Sequence, residues 1–295
     1  MDTEKALRRY RDAETWPAEE ALAAMLDNQF GAFAAVRLAV SSLAVAASAA
    51  AERLRERGRL IYCGAGTSGR LAVQDGIELH ATFGWPGERV AYLIAGGEPA
   101  LTRSIEGAED DADAGAREAT ALRPCPSDVV VAVAASGTTR YTCAVQRIAH
   151  TAGALIVAMA NNPGTPLLAG ADHPVLLLTG PEFLAGSTRM TAGTAQKIAL
   201  NLFSTRVMTE LGRVYQGHMV DMVPTSAKLA DRGQRMVAAI AGVPAARSAS
   251  AWNEAGGSVK IAVLMLDGWT RTEAEARLAA AAGRLDRARR ADPRD

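Results

Sequence analysis

The chain has 295 residues, 49% hydrophobic and 22% charged, enough for one large α/β domain with a smaller appendage and too apolar for disorder. Lys plus Arg and Asp plus Glu both total 32, so there is no electrostatic footprint for nucleic acid or an anionic membrane, and an anionic ligand must be held by local donors. The three scattered cysteines, Cys63, Cys125 and Cys143, lack CxxC spacing and argue against a disulfide framework or a structural zinc site.

Residues 1–16 are charged and show no firm pattern, and they lack the apolar core of a secretory signal. No run reaches the roughly 18 uncharged apolar residues of a membrane-spanning helix, so a soluble, cytoplasmic protein with no membrane partner is expected. From Pro17 to Arg57, Ala, Leu and Glu dominate, and the apolar spacing predicts a short helix followed by a long one. The Ala44–Ala51 stretch suits close helix packing, within the fold or against a second copy.

The rhythm changes at Arg59–Cys63, a buried-strand pattern that runs into Gly64-Ala-Gly-Thr-Ser-Gly69 and then a helix starting near Arg70. Four further apolar runs read as strands: Ala91–Ala95, Val129–Ala134, Ala154–Met159 and Pro174–Leu178. Continuous apolar strands alternating with helices predict a doubly wound parallel sheet, a three-layer α/β/α sandwich. Ser187–Leu211 is one long helical pattern. Beyond Asp221 the chain predicts two or three helices broken near Gly242-Val-Pro244 and Gly256-Gly257, a helix start at Thr270 or Thr272, and a frayed charged tail over Arg287–Asp295. The expected division is 1–54 N-terminal helical, 55–215 sheet domain and 216–295 helical C-terminal region.

Three hydroxyl-rich turns stand out. Gly66, Thr67 and Ser68 sit at a strand-to-helix junction, where backbone N–H groups and the helix dipole attract phosphate. The loop lacks the Gly-Lys-Ser/Thr ending of a nucleotide-triphosphate loop, and its Thr-Ser pair suits a dinucleotide fingerprint poorly. Ser136, Gly137 and Thr139 repeat this chemistry after the third strand. Ser187 and Thr188 open the long helix. Together they form a candidate clamp for a phosphorylated sugar. No His/Asp/Glu cluster has metal-ligand spacing, and neither metal nor cofactor is expected.

Gly64-Ala-Gly-Thr-Ser-Gly-Arg-Leu71, Thr82-Phe-Gly84, Leu93-Ile-Ala-Gly-Gly-Glu98, Glu106-Gly-Ala-Glu-Asp110, Gly186-Ser-Thr-Arg-Met190, Ala192-Gly-Thr-Ala-Gln-Lys197 and Met219-Val-Asp221 together resemble the N-acetylmuramic acid 6-phosphate etherases, which have the sugar isomerase (SIS) fold. The resemblance runs from about residue 55 to about 230. It implies cleavage of a D-lactyl ether by elimination and hydration, and a homodimer with its sites near the interface. It also implies two catalytic carboxylates: Glu78 as the acid that protonates departing lactate, and Glu109 as the base at C2. Lys197 falls within the matching helix and joins the candidate binding residues. The chain departs from the family pattern at Ile77–Ala81, at Thr138–Arg140, at Ser226 and at Asp27–Gln29. Two other readings fit the same loops: an aldose–ketose isomerase, which needs no leaving-group acid, and a non-catalytic sugar-phosphate sensor, which needs neither glutamate.

Overall fold

In the computed structural model, which describes residues 1–290, five strands form one parallel sheet. They are β1 (Leu60–Gly64), β2 (Val90–Ile94), β3 (Val129–Val133), β4 (Leu155–Ala160) and β5 (His173–Leu176), in the order β2-β1-β3-β4-β5. Each predicted strand is present. β1, β3 and β4 are buried along their whole length, as strands covered on both faces must be.

Contacts divide the chain into two units: Met1–Ile77 with Glu88–Arg206, and Glu78–Gly87 with the chain from Val207 onward. In the first unit, alternate strand residues face opposite layers. Ile61, Cys63, Val130, Ala132, Ile156 and Ala158 share one core with residues of α3 (Ala112–Leu122), α4 (Arg140–Thr151) and the short α5 (Pro166–Ala169). Burial pushes the Cys63 thiol well above its ordinary pKa, so it serves as a small apolar side chain.

On the opposite face Tyr62 reaches α2 (Gly66–Phe83) and α6 (Thr191–Glu210). Asp75, only 2% exposed, is the knot: its carboxylate accepts from Tyr62 Oη at 2.7 Å, Asn201 Nδ2 at 2.6 Å and Ser204 Oγ at 3.1 Å. Burial raises the Asp75 pKa, while these three donors and Lys197 favour the charged form.

The N-terminal region differs from expectation. One helix, α1 (Ala18–Arg53), replaces the short-then-long pair. The helix runs unbroken through Gly31, where a Cβ would make only ordinary contact with the Thr191 methyl at 3.5 Å. α1 is also long and apolar enough, by length and composition, to cross a membrane, contrary to the reading of its sequence. Its inner face, however, buries Ala32, Ala35, Val36, Ala39 and Leu43 and packs on β4 and β5. α2 begins at Gly66 rather than near Arg70, which puts Thr67 and Ser68 in its first turn.

The second unit is helical: α7 (Ala227–Ala241), α8 (Ala245–Glu254), α9 (Val259–Leu266), α10 (Arg271–Ala280) and α11 (Leu285–Arg290), with breaks at the predicted glycines. Thr270 and Glu273 form a capping box at the predicted start of α10. A hairpin that the sequence reading missed pairs β6 (Val214–Tyr215) with β7 (His218–Met219) through Gln216 and Gly217, both at positive φ. Asp221 accepts from the buried Lys260 at 2.6 Å. Arg213 donates to the carbonyls of Phe83 and Gly84, so these motif residues hold this unit together. Residues 287–290, expected to be frayed, are helical. Arg289 pairs with Asp267 at 2.8 Å, and residues 291–295 lie outside the described part.

Asp75→Ala strands three donors at once, two of them, Tyr62 and Ser204, buried. We expect a loss of about 2–4 kcal/mol in unfolding free energy, measured by urea denaturation, with Asp75→Asn losing less because one oxygen still accepts.

Candidate functional site

β1 and β3 are neighbours in register, with Gly64 opposite Val133, so the turns that follow them lie side by side. β2 lies on one side of this pair and β4 on the other, which makes the β1/β3 boundary the topological switch point of the sheet. The first turn is closed by glycine against glycine: a Cβ on Gly64 would stand 2.9 Å from the Gly69 Cα. At the second turn Gly137 has φ +70, and a Cβ there would collide with Thr165.

A cavity of about 340 Å³ opens at this switch point. Ser68, Ser136, Thr138, Thr139 and Thr188 line it, together with Glu4, Glu109 and Asp110. Ser136 Oγ accepts from the Thr138 N–H at 3.2 Å and lies 3.3 Å from Thr139 Oγ1, which sets the second turn. The first turns of α2 and α4 both start here, and their leading N–H groups lack intrahelical partners. A smaller cavity of about 240 Å³ adjoins it; Gly66 and Arg70 line that one, and Ala65 and Glu109 line both. Arg70 is held there by the carbonyls of Ala100 and Arg103.

The sequence-derived residues therefore separate. Ser68, Ser136, Thr139, Thr188 and Glu109 come together, and Gly66 joins Glu109 next door. Thr67 instead turns its methyl toward Gly193. Ser187 precedes the helix without lining the cavity, its N–H donating to the Leu184 carbonyl. Lys197 donates to Asn201 Oδ1 at 2.6 Å and so belongs to the Asp75 knot. Glu78 is exposed on α2, and twelve residues at 1.5 Å each put it about 18 Å along the axis from Gly66.

The third predicted clamp element works differently from expectation. α6 starts at Thr191, and its first turn is already capped from within: Glu182, fully buried, accepts from the N–H groups of Thr191 and Ala192, both at 2.9 Å. Asn28 Oδ1 accepts from Thr191 Oγ1 at 2.6 Å and from the Phe183 N–H at 3.1 Å. The α6 terminus has its own anion, and this loop can offer a ligand only Gly186 and Thr188.

Sequence reasoning missed Glu4 and gave Asp110 no role. Asp110 sits inside a quoted motif. Glu4 lies in the patternless first sixteen residues, and only a contact across the whole fold brings it to the site.

Residues 42–149 match the family described as the glucokinase regulatory protein N-terminal SIS domain, and residues 111–206 match the SIS domain. Among curated relatives, an N-acetylmuramic acid 6-phosphate etherase of Deinococcus radiodurans is 51% identical, over 95% of this chain and 92% of that protein. An etherase of the same name from Rubrobacter xylanophilus is 47% identical over 81% and 79%, and one from Cutibacterium acnes 43% identical over 90% and 88%. With identity of this order over nearly the full length of both proteins, the chain belongs to the N-acetylmuramic acid 6-phosphate etherase family.

Proposed function

We propose that this chain is a carbon–oxygen lyase that cleaves the D-lactyl ether of N-acetylmuramic acid 6-phosphate, giving D-lactate and N-acetylglucosamine 6-phosphate in cytoplasmic amino-sugar recycling. Its family membership carries the reading. The cavity supports it, because hydroxyls and two helix N-termini suit a phosphate and a carboxylate stands beside them.

In the proposed chemistry, Glu109 takes the C2 proton of the open-chain sugar. The C3–O bond breaks, its electron pair leaves with lactate, and Glu78, which a single chain keeps apart from this cavity and the homodimer proposed below would bring to it, protonates the lactate oxygen. Once it has released that proton to solvent, the Glu109 carboxylate takes one from water as the water oxygen adds to C3, and delivers it to C2. Solvent reprotonates Glu78.

We propose further that the protein is a homodimer. Leu22, Leu26, Phe30 and Phe33 are 65%, 61%, 61% and 60% exposed, and their spacing puts them on one stripe of α1. A second copy is a better cover than lipid, because the other face of α1 is committed to the protein's own sheet. Glu78 and Glu109 are both exposed in a single chain, and burial under a partner or substrate is what would tune such carboxylates for acid and base work.

Four variants test this. Ser136→Ala should weaken sugar-phosphate binding about tenfold while changing kcat at saturation little, as steady-state kinetics will show. Glu109→Gln should slow exchange of the C2 proton with solvent by about 10²- to 10⁴-fold, followed by proton NMR in deuterated water. Glu78→Gln should stop lactate release while some exchange survives; the reverse pattern would swap the two roles, and undiminished lactate release in both would sink the mechanism. Phe30→Glu combined with Phe33→Glu should sediment as a monomer where the unaltered protein sediments as a dimer.

A further inference from the structure

The larger cavity contains a carboxylate that the proposed reaction does not use. Glu4 ends a short 3₁₀ turn, Asp2–Glu4, and that turn is fastened to both sides of the site. Asn162 Oδ1 accepts from the N–H groups of Asp2 at 2.7 Å and Thr3 at 3.4 Å. Asn162 Nδ2 donates to Thr3 Oγ1 at 3.1 Å and to the Ala135 carbonyl at 3.0 Å. The Gly186 N–H donates to the Thr3 carbonyl at 3.0 Å. Thr3 and Asn162 are buried, while Ala135 and Gly186 line the cavity themselves.

The strap delivers the Glu4 carboxylate onto Gly186, where a Cβ would stand 2.7 Å from Oε2. Among the described residues, the carboxylate makes no hydrogen bond or ion pair, and no Lys, Arg or His lines the cavity. An ionised carboxylate only accepts hydrogen bonds, so its partner here must be a donor brought by the ligand or by water. It also repels a phosphate, which leaves the phosphate to the hydroxyls and N–H groups of the β1 and β3 turns and the sugar to Glu4.

We propose that Glu4 is a sugar-binding residue: its carboxylate accepts a hydrogen bond from a hydroxyl or amide N–H of the phosphorylated sugar, so the cavity selects a sugar phosphate over bare phosphate. This rests on the sugar-phosphate reading above. The test is calorimetric titration of the unaltered protein, Glu4→Ala and Glu4→Gln with N-acetylglucosamine 6-phosphate and, separately, inorganic phosphate, beside a lactate-release assay of the unaltered protein. Glu4→Ala should weaken sugar-phosphate binding about tenfold or more, leave inorganic phosphate binding unchanged or tighter, and leave the melting temperature unchanged. Glu4→Gln should fall between, since its amide oxygen still accepts. Sugar-phosphate affinity within about twofold of the original in Glu4→Ala, or equal weakening of both ligands, overturns the proposal. The etherase reading fails separately, if the unaltered protein binds the sugar phosphate but releases no lactate. An unaltered protein that binds no sugar phosphate overturns both.

Discussion

The site depends on the adjacency of β1 and β3. Parallel strands point all their C-terminal ends the same way, and only where the strand order reverses do neighbouring connections diverge to opposite faces and leave a gap. α2 must leave β1 steeply for that gap to stay open. The contact that permits this is Gly64 against Gly69, where a side chain on either would have to occupy space held by the other's backbone. The hydroxyls of Ser68 and Ser136 approach one another because of this contact, and no pairing between those residues is needed.

Loops that must hold a ligand cannot also spend their donors on holding themselves, so they are supported from behind. Asn162 uses both its amide oxygen and its nitrogen to tie the N-terminal turn to the β3 turn. Glu182 and Asn28 fasten the segment before α6 and occupy its helix terminus. Asp75 locks α2 to α6 and β1. Each is a buried polar group with several partners, the kind whose loss costs more than its presence contributes. The helix termini left open to a ligand in this cavity are those of α2 and α4.

The fold was legible because its strands are buried on both faces, so each reads as an unbroken apolar run such as Val129–Val133. The capping box at Thr270 was legible because both partners are local. Ser68 and Ser136 could be proposed because glycine-rich turns after strands announce themselves in the sequence, and Glu109 only through the resemblance of its motif to the etherase family. What escaped depends on distant partners. Ser187 looks like a helix start until Glu182, five residues before it, is seen to cap an α6 that begins at Thr191, four residues after it. Glu4 carries no local signal at all: Asn162 and Gly186, both more than 150 residues away, bring it to the cavity.

A phosphate site without a lysine or arginine is a compromise whose logic lies in the neighbouring carboxylates. A cation beside a carboxylate stabilises its charged form and so weakens it as a base. The larger cavity is lined by Glu4, Glu109 and Asp110 and by no cation, and the nearby Arg70 is occupied by backbone carbonyls. Helix N-termini and hydroxyls attract phosphate through fixed dipoles that fall off faster with distance than a full charge does. In the proposed site, dipolar phosphate binding would put no cation beside the carboxylates assigned to acid–base chemistry.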